Sequence, residues 1–415
     1  MKKRNILVVM LCFMTQTFLF AQSYNIVIKG GHVIDPKNNI DGPMDIAVRD
    51  GKIALVAKNI DATGALQVVD ATGMYVTPGL IDMHVHVFHG PNLTFHYMNG
   101  PYSLPPDGFT FRVGVTTVVD VGSAGWRTFP DFKRQVIDVS QTRVLALLNI
   151  VGEGMRNGDP TEQNVKDMDA RRTAEFAKQY PKDIVGFKIA HFDGHDWLPY
   201  KLGVEAGTLA DMPFMVDFGG ADPPLSLDSL FFHYLRPGDI FTHCYSNVAR
   251  REHIIENGQL RPYMNAAKER GIIFELGHGG GSFSFSIAIP ATKAGFFPDV
   301  IGTDLHAPSM NAAMKDLLTC MDKMLALGMD FNSVINACTW KPAQVIKRTE
   351  LGHLTVGAEA DIAILDIRTG KFGLFDPRGV RIETDKKLEC QMTIRAGRIV
   401  YDLNGIANPI VAPRR

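Results

Sequence analysis

Two histidines separated by one residue, His84 and His86, stand in the apolar run LIDMHVHV. On a β-strand, residues i and i+2 face the same side, so both imidazoles can reach one point. Imidazole nitrogens are ligands that zinc and similar divalent ions accept. Because such a pair also arises by chance, the prediction of a metal site depends on what other segments bring to it.

Four further apolar segments each carry one polar residue that suits a metal site. They are Lys188 in GFKIA, Asp217 in MVDF, His243 in FTHC and Asp304 in GTDLH. Taken singly, the lysine would suit an ion pair and Asp304 would suit a helix cap. If the fold brings all five segments together, their nitrogen and oxygen donors predict a site for zinc or a similar divalent ion.

The middle of the chain, residues 79–351, has the pattern of a parallel sheet, because short apolar runs alternate with longer amphipathic stretches. The candidate strands are 80–87, 114–121, 143–151, 184–190, 213–218, 239–244, 271–277 and 299–304. Eight such runs, mostly suited to burial on both faces, predict a closed (β/α)8 TIM barrel of the α/β class. The alternative is an open doubly wound sheet, but no glycine-rich dinucleotide fingerprint follows an early strand. In a barrel, catalytic residues lie at the carboxyl ends of the strands, which is where the polar residues above occur.

The two ends of the chain predict a second, smaller domain. VIKGGHVID at 27–35 and TIRAGRIVYD at 393–402 both alternate apolar and polar residues around a glycine turn. We therefore expect residues 24–78 and 352–405 to form one composite β domain, a small β-sandwich built from both termini.

Composition and the N-terminus restrict the function further. Among 415 residues, 43 lysines and arginines nearly balance 44 aspartates and glutamates, so the basic surface typical of nucleic-acid binding is not expected. Residues 1–21 combine Lys2, Lys3 and Arg4 with an apolar run, which predicts a signal peptide cleaved after Ala21. The protein is then exported, either periplasmic or secreted. No later segment has the roughly 18 apolar residues of a membrane span, so no stable membrane insertion is expected after cleavage.

Several motifs together resemble those of the amidohydrolase superfamily and, more narrowly, of the amidohydrolase/deacetylase metallohydrolases related to dihydroorotase. The motifs are PGLIDMHVH, GVTTVVDVGSAG at 114–125, LRPGDIFTHC at 235–244, FELGHGGGSFSF at 274–285, GTDLHAPSM at 302–310 and LGHLTVGAEADIAILD at 351–366. They cover nearly all of residues 24–402.

The resemblance implies a site for two divalent ions, with zinc as the default. In it, His84, His86 and Asp304 hold the first ion, His243 holds the second, and Lys188, carboxylated by CO2, bridges both. A free ammonium would repel cations, whereas a desolvated lysine can lose its proton and then take up CO2. The implied reaction is attack of a metal-activated hydroxide on an amide or ester carbonyl, with Asp304 as general base and then general acid.

One position departs from the family pattern. Where the family brings a histidine from the fifth barrel strand, here 213–218, to the second ion, this chain has Asp217. A carboxylate is an acceptable zinc ligand, so we expect Asp217 to ligate this ion. The alternative is that Asp217 does not reach the ion, with His191 and His195 as candidate substitutes.

The loop GHGGGS after strand 7 is the candidate substrate contact. Glycines let backbone N–H groups approach an oxygen atom closely, so we expect Gly279 and Gly280 to bind a carbonyl or carboxylate oxygen. We expect His278 to polarise the scissile carbonyl or to hold a substrate carboxylate. The alternative is a turn histidine without a substrate contact.

These expectations predict a hydrolase for the amide or ester bond of a small acylated compound. A cyclic-amide hydrolase of the dihydroorotase or hydantoinase type is the second hypothesis. A deaminase is disfavoured because, by the same resemblance, deaminase sites commonly hold one metal ion and lack the lysine of the fourth strand, which is Lys188 here. An exported, non-catalytic binding protein on the same barrel is a further hypothesis, which only Asp217 suggests. The expected partner is a small-molecule substrate, and the sequence leaves a homo-oligomer open.

Overall fold

The computed structural model describes residues 24–89, 100, 102–155 and 160–408, so the predicted signal peptide lies outside the described residues. Its strands are β1 (Ile26–Asp35), β2 (Ile40–Arg49), β3 (Lys52–Ala57), β4 (Gln67–Asp70), β5 (Tyr75–Pro78), β6 (Leu80–Val85), β7 (Val115–Gly125), β8 (Arg143–Asn149), β9 (Ile184–Ile189), β10 (Phe214–Val216), β11 (Ile240–Phe241), β12 (Ile255–Glu256), β13 (Gln259–Leu260), β14 (Ile273–Phe274), β15 (Ile362–Phe375), β16 (Arg381–Arg395) and β17 (Arg398–Asp402). Its α-helices are α1 (Phe129–Phe132), α2 (Ala170–Ala177), α3 (Leu198–Ala210), α4 (Leu227–Ser229), α5 (Met264–Glu269), α6 (Phe285–Lys293), α7 (Ala307–Met310), α8 (Leu317–Ala326), α9 (Phe331–Ala337) and α10 (Trp340–Val345).

The middle of the chain forms a parallel sheet that closes into a barrel. Seven strands hydrogen-bond in the order β14-β11-β10-β9-β8-β7-β6. The eighth predicted strand, 299–304, and the residue after it form isolated parallel bridges instead. One bridge joins Val300 to Glu275 and the other joins Leu305 to Val85. Because these bridges reach both edges of the sheet, the segment closes it. The predicted (β/α)8 barrel is confirmed.

Local sequence explains why the barrel strands and helices form. Every residue of β6, β7 and β9 is buried, as expected for apolar runs covered on both faces. Three helices begin after an aspartate whose side chain accepts a hydrogen bond from a backbone N–H three residues on: Asp169 before α2, Asp316 before α8 and Asp330 before α9. Among the described residues, no helix combines the length and apolar character needed to cross a membrane.

The two ends of the chain form a second sheet, as predicted. Its strand order is β17-β16-β15-β5-β1-β2-β3, and β4 pairs with β1. The ends join where β15 runs antiparallel to β5, with Ile362 opposite Pro78 and Leu365 opposite Tyr75. The predicted sandwich is therefore one continuous sheet in its hydrogen bonding, and β15 and β5 connect its N-terminal and C-terminal halves.

Leu365 of β15 supports the barrel from the terminal sheet. It is fully buried and packs in the same apolar core as Leu80 and Val115 of the barrel. Replacing Leu365 with alanine leaves a cavity there, so we expect the free energy of unfolding to fall by about 2–5 kcal/mol. Denaturant unfolding checks this against Leu66→Ala, at a leucine that is 75% exposed. Equal midpoints for the two variants would contradict the expectation.

Candidate metal centre

The predicted ligands meet at the carboxyl ends of the barrel strands, in the wall of one cavity of about 380 Å³. All six line this cavity: His84, His86, Lys188, Asp217, His243 and Asp304. The same wall also contains His191 and Arg251. The barrel therefore brings together the five segments on which the prediction of a metal site depended.

Asp304 lies at the centre of a first group of predicted ligands. Its Oδ1 lies 3.1 Å from His86 Nε2 and 3.5 Å from His84 Nε2. His84, His243 and Asp304 each offer one possible ligand atom, and these three atoms lie within 4.8 Å of one another. All three residues are buried. Two imidazoles around one carboxylate oxygen form a donor set that suits a divalent ion.

The other ring nitrogen of each predicted histidine ligand faces an acceptor in the protein. The acceptors are Glu275 Oε2 at 3.1 Å for His84, Ser123 Oγ at 3.0 Å for His86 and the Gly277 carbonyl oxygen at 2.6 Å for His243. Partners of this kind fix the orientation of a histidine ring, so that Nε2 is the atom that would bind an ion. Burial also lowers the pKa of His86 and of His243 to about 4, so both rings are neutral, as metal ligands must be.

Lys188 is buried in β9, and its amine faces a weak hydrogen-bond acceptor. Its Nζ lies 3.4 Å from the sulfur of Met215, which is a weak acceptor. Burial lowers the pKa of Lys188, although Asp217 and Asp304 act in the opposite direction. Gly122 makes room for this side chain, because a Cβ there would lie 2.8 Å from Lys188 Cγ. A lysine in this setting suits a neutral amine better than an ammonium.

Asp217 is held by one oxygen and faces the site with the other. Its Oδ1 accepts a hydrogen bond from Arg251 Nη1 at 2.7 Å, and its Oδ2 lies 3.8 Å from His243 Nε2. Burial raises the pKa of Asp217, but the Arg251 guanidinium outweighs burial, so that the pKa lies below its ordinary value. Asp217 is therefore an ionised carboxylate beside His243, and its contact with an ion stays a prediction.

His278, an expected substrate contact, does not line the cavity, and its contact with a substrate stays a prediction. The residue is fully buried, its Nδ1 lies 2.9 Å from the Gly279 carbonyl oxygen, and its Nε2 lies 2.6 Å from Lys323 Nζ. Lys323 thus holds the ring inside the protein, away from the cavity wall. Gly279 makes room for Asp304, because a Cβ there would lie 2.3 Å from Asp304 Oδ2. Gly280 does line the cavity, and its contact with a substrate stays a prediction.

Sequence reasoning missed three charged residues of the site: Glu162, Arg251 and Glu275. Glu275 interrupts the apolar run FEL just as Lys188 interrupts GFKIA, so the same argument would have found it. Its carboxylate accepts a hydrogen bond from the Thr242 hydroxyl and faces His84. Glu162 and Arg251 lie outside the strands, where periodicity carries no signal.

Comparisons with known proteins agree with this fold. The amidohydrolase family pattern matches residues 285–400. A deacetylase of Brucella anthropi is 36% identical over 346 residues, which are 82% of this chain and 83% of that protein. A solved dihydroorotase structure has 31% identity and a TM-score of 0.80, covering 91% of this chain and 97% of that chain. A solved adenine deaminase structure has 28% identity and a TM-score of 0.81, covering 91% and 100%.

Proposed function

We propose that this protein removes the acyl group from a small acylated compound. The chain belongs to the amidohydrolase family and is therefore a hydrolase that acts on carbon–nitrogen bonds. The observation that carries this proposal is the convergence of His84 and His86 on Asp304 in the cavity that Lys188 also lines. The name of the Brucella anthropi relative supports an acetyl group as the group removed. The bond cleaved is then an amide, and an ester is the alternative that the substrate panel distinguishes.

The proposal includes two divalent ions, with zinc as the default. His84, His86 and Asp304 would hold the first ion, His243 and Asp217 the second, and Lys188 would lie between them as a carbamate. The donors are nitrogen and carboxylate oxygen atoms in a buried cavity, which fits such ions. When bound, ions of this kind polarise a carbonyl group and make a water molecule more acidic.

Asp304 is the residue that we expect to move the proton. Burial raises its pKa, but His84 and His306 outweigh burial and keep the pKa well below its ordinary value. Asp304 is therefore ionised and able to accept a proton from the attacking water at the cavity wall. It would then return this proton to the leaving amine or alcohol, acting first as general base and then as general acid.

Glu275 orients His84, so it should contribute to metal affinity without touching an ion. We expect Glu275→Gln to weaken the binding of the first ion by about 10–100-fold, the usual effect of losing such a partner. Competition with a coloured chelator measures this affinity. Glu383→Gln, at a side chain that is 76% exposed, is the matched control. Equal affinities in the two variants would show that Glu275 does not position the ligand.

A substrate panel tests the proposed function. The metal-loaded protein should release acetate from N-acetyl amino acids or O-acetyl hydroxy acids. The similarity to the dihydroorotase structure supports a second candidate, a cyclic-amide hydrolase, so dihydroorotate and hydantoins belong in the same panel. Faster ring opening than acetate release would replace the first candidate by the second. Failure to turn over either class with both ions bound would contradict both candidates.

We also propose that the protein is exported, on the basis of the sequence of residues 1–21. Cell fractionation and N-terminal sequencing test this proposal. A mature N-terminus at Gln22 outside the cytoplasm is the expected result. A cytoplasmic chain that retains residues 1–21 would contradict it.

A further inference from the structure

We propose that His191 is a ligand of the second metal ion, which it holds together with His243 and Asp217. This inference rests on the two-ion site proposed above. It adds a ligand that the family pattern does not include. This ligand comes from the segment that follows β9 rather than from the fifth barrel strand, β10. Three independent features of His191 support it: the group that its Nε2 faces, the group behind its Nδ1 and its backbone conformation.

The Nε2 atoms of His191 and His243 both face the same carboxylate oxygen. Each lies 3.8 Å from Asp217 Oδ2. This arrangement repeats that of the first group, where His84 and His86 both face Asp304 Oδ1. The cavity wall thus contains two carboxylates that each face two imidazoles. His243 connects the two sets, because its donor atom also lies within 4.8 Å of those of His84 and Asp304.

A buried carboxylate lies behind His191, as another lies behind His84. His191 Nδ1 is 3.4 Å from each oxygen of Glu162, whose side chain is 1% exposed. Glu275 has the same relation to His84, with a distance of 3.1 Å. A carboxylate at Nδ1 orients the ring and makes Nε2 a stronger donor to a metal. Glu162 is therefore a positioning residue for the proposed ligand.

The backbone at His191 is left-handed, as it is at two of the other ligands. The φ angle is 55° at His191, 57° at His243 and 52° at Asp304. A non-glycine residue adopts this conformation at a cost and keeps it only where the surroundings hold it, which occurs often at functional sites. At the end of β9, this turn brings the His191 side chain to the wall of the cavity that Lys188 lines.

Arg251 explains why the second group needs a further nitrogen donor. An aspartate is shorter than the histidine that the family places on the fifth barrel strand, here β10. In addition, Arg251 Nη1 donates a hydrogen bond to Asp217 Oδ1 at 2.7 Å. Only Oδ2 then faces the two imidazoles. We infer that His191 supplies the nitrogen donor that β10 lacks, and that Arg251 positions Asp217 Oδ2 toward the ion.

Cobalt loading tests this assignment without depending on turnover. The wild-type chain, His191→Ala and His195→Ala are loaded with Co²⁺ in bicarbonate buffer, and bound cobalt and the visible d–d spectrum are measured. His195 is the matched control, because it lies in the same loop and faces the Pro223 carbonyl oxygen instead of the cavity. We expect about two ions in the wild type and in His195→Ala, and about one in His191→Ala, with part of the visible absorption lost.

The outcomes separate this inference from the two-ion proposal. Two ions and an unchanged spectrum in His191→Ala would overturn the inference alone. One ion in the wild type would overturn the two-ion site, and the inference with it. If His191→Ala does not fold, Glu162→Gln serves instead and should weaken the second ion by about 10–100-fold. An unchanged affinity in Glu162→Gln would then overturn the inference.

Discussion

Replacing Asp304 with asparagine is expected to lower kcat for deacylation by about 10²–10⁴-fold, the range for loss of a general acid–base group. Asparagine keeps the shape of the side chain but cannot accept a proton. In the structure Asp304 is ionised because His84 and His306 outweigh its burial, so this capacity is present in the native site. Initial rates on metal-loaded protein measure the loss.

The control for this variant is Asp211→Asn, at a side chain that is 91% exposed and paired with Lys347 at the surface. It should retain wild-type turnover. Because Asp304 also faces His84 and His86, the metal content of Asp304→Asn is measured on the same sample. Turnover near the wild-type value, with both ions bound, would remove Asp304 from its role as base and acid.

Replacing Lys188 with alanine is expected to lower both the affinity for the ions and the turnover. The loss should exceed the roughly 10–100-fold that is typical when a residue hydrogen-bonded to a metal ligand is replaced. The loss removes the proposed bridge between the two groups of donors. Truncation of the Lys188 side chain leaves space at the cavity wall, so a small carboxylic acid should fit where the carbamate was. Added acetate or propionate is therefore expected to restore part of the activity and of the ion content.

Lys182→Ala, at an exposed lysine two residues before β9, controls for the loss of a positive charge. It should retain full turnover without added acid. Wild-type turnover in Lys188→Ala without any added carboxylate would contradict the bridging role. A second check removes bicarbonate from the loading buffer, after which the wild type should bind less metal.

The part of the site that lies on strands could be predicted from the sequence. His84 and His86 share a face because the period of a strand is two, and Lys188 stands out because a charge rarely interrupts a buried run. The eighth strand was also predicted, although the structure pairs it only through bridges at Val300 and Leu305. Buried parallel strands place these residues at one end of the barrel irrespective of the connecting loops.

The remaining part of the site depends on contacts between distant segments. His278 turns away from the cavity because Lys323 binds its Nε2, and no local pattern signals a partner 45 residues away. Likewise, Arg251 and Glu162 come from loops and act through Asp217 and His191. The strand positions therefore predicted His243 and Asp217 as well as the first group, whereas Arg251 and Glu162 became clear only from the fold.

The proposed site holds two ions that a carboxylated Lys188 would bridge. The most direct measurement is anomalous X-ray diffraction from crystals of the zinc-loaded protein, grown in bicarbonate. We predict two anomalous peaks, one beside His84, His86 and Asp304 and one beside His243 and Asp217, with electron density that extends from Lys188 Nζ between them. A single peak, or an unmodified Lys188 with both peaks present, would contradict the account.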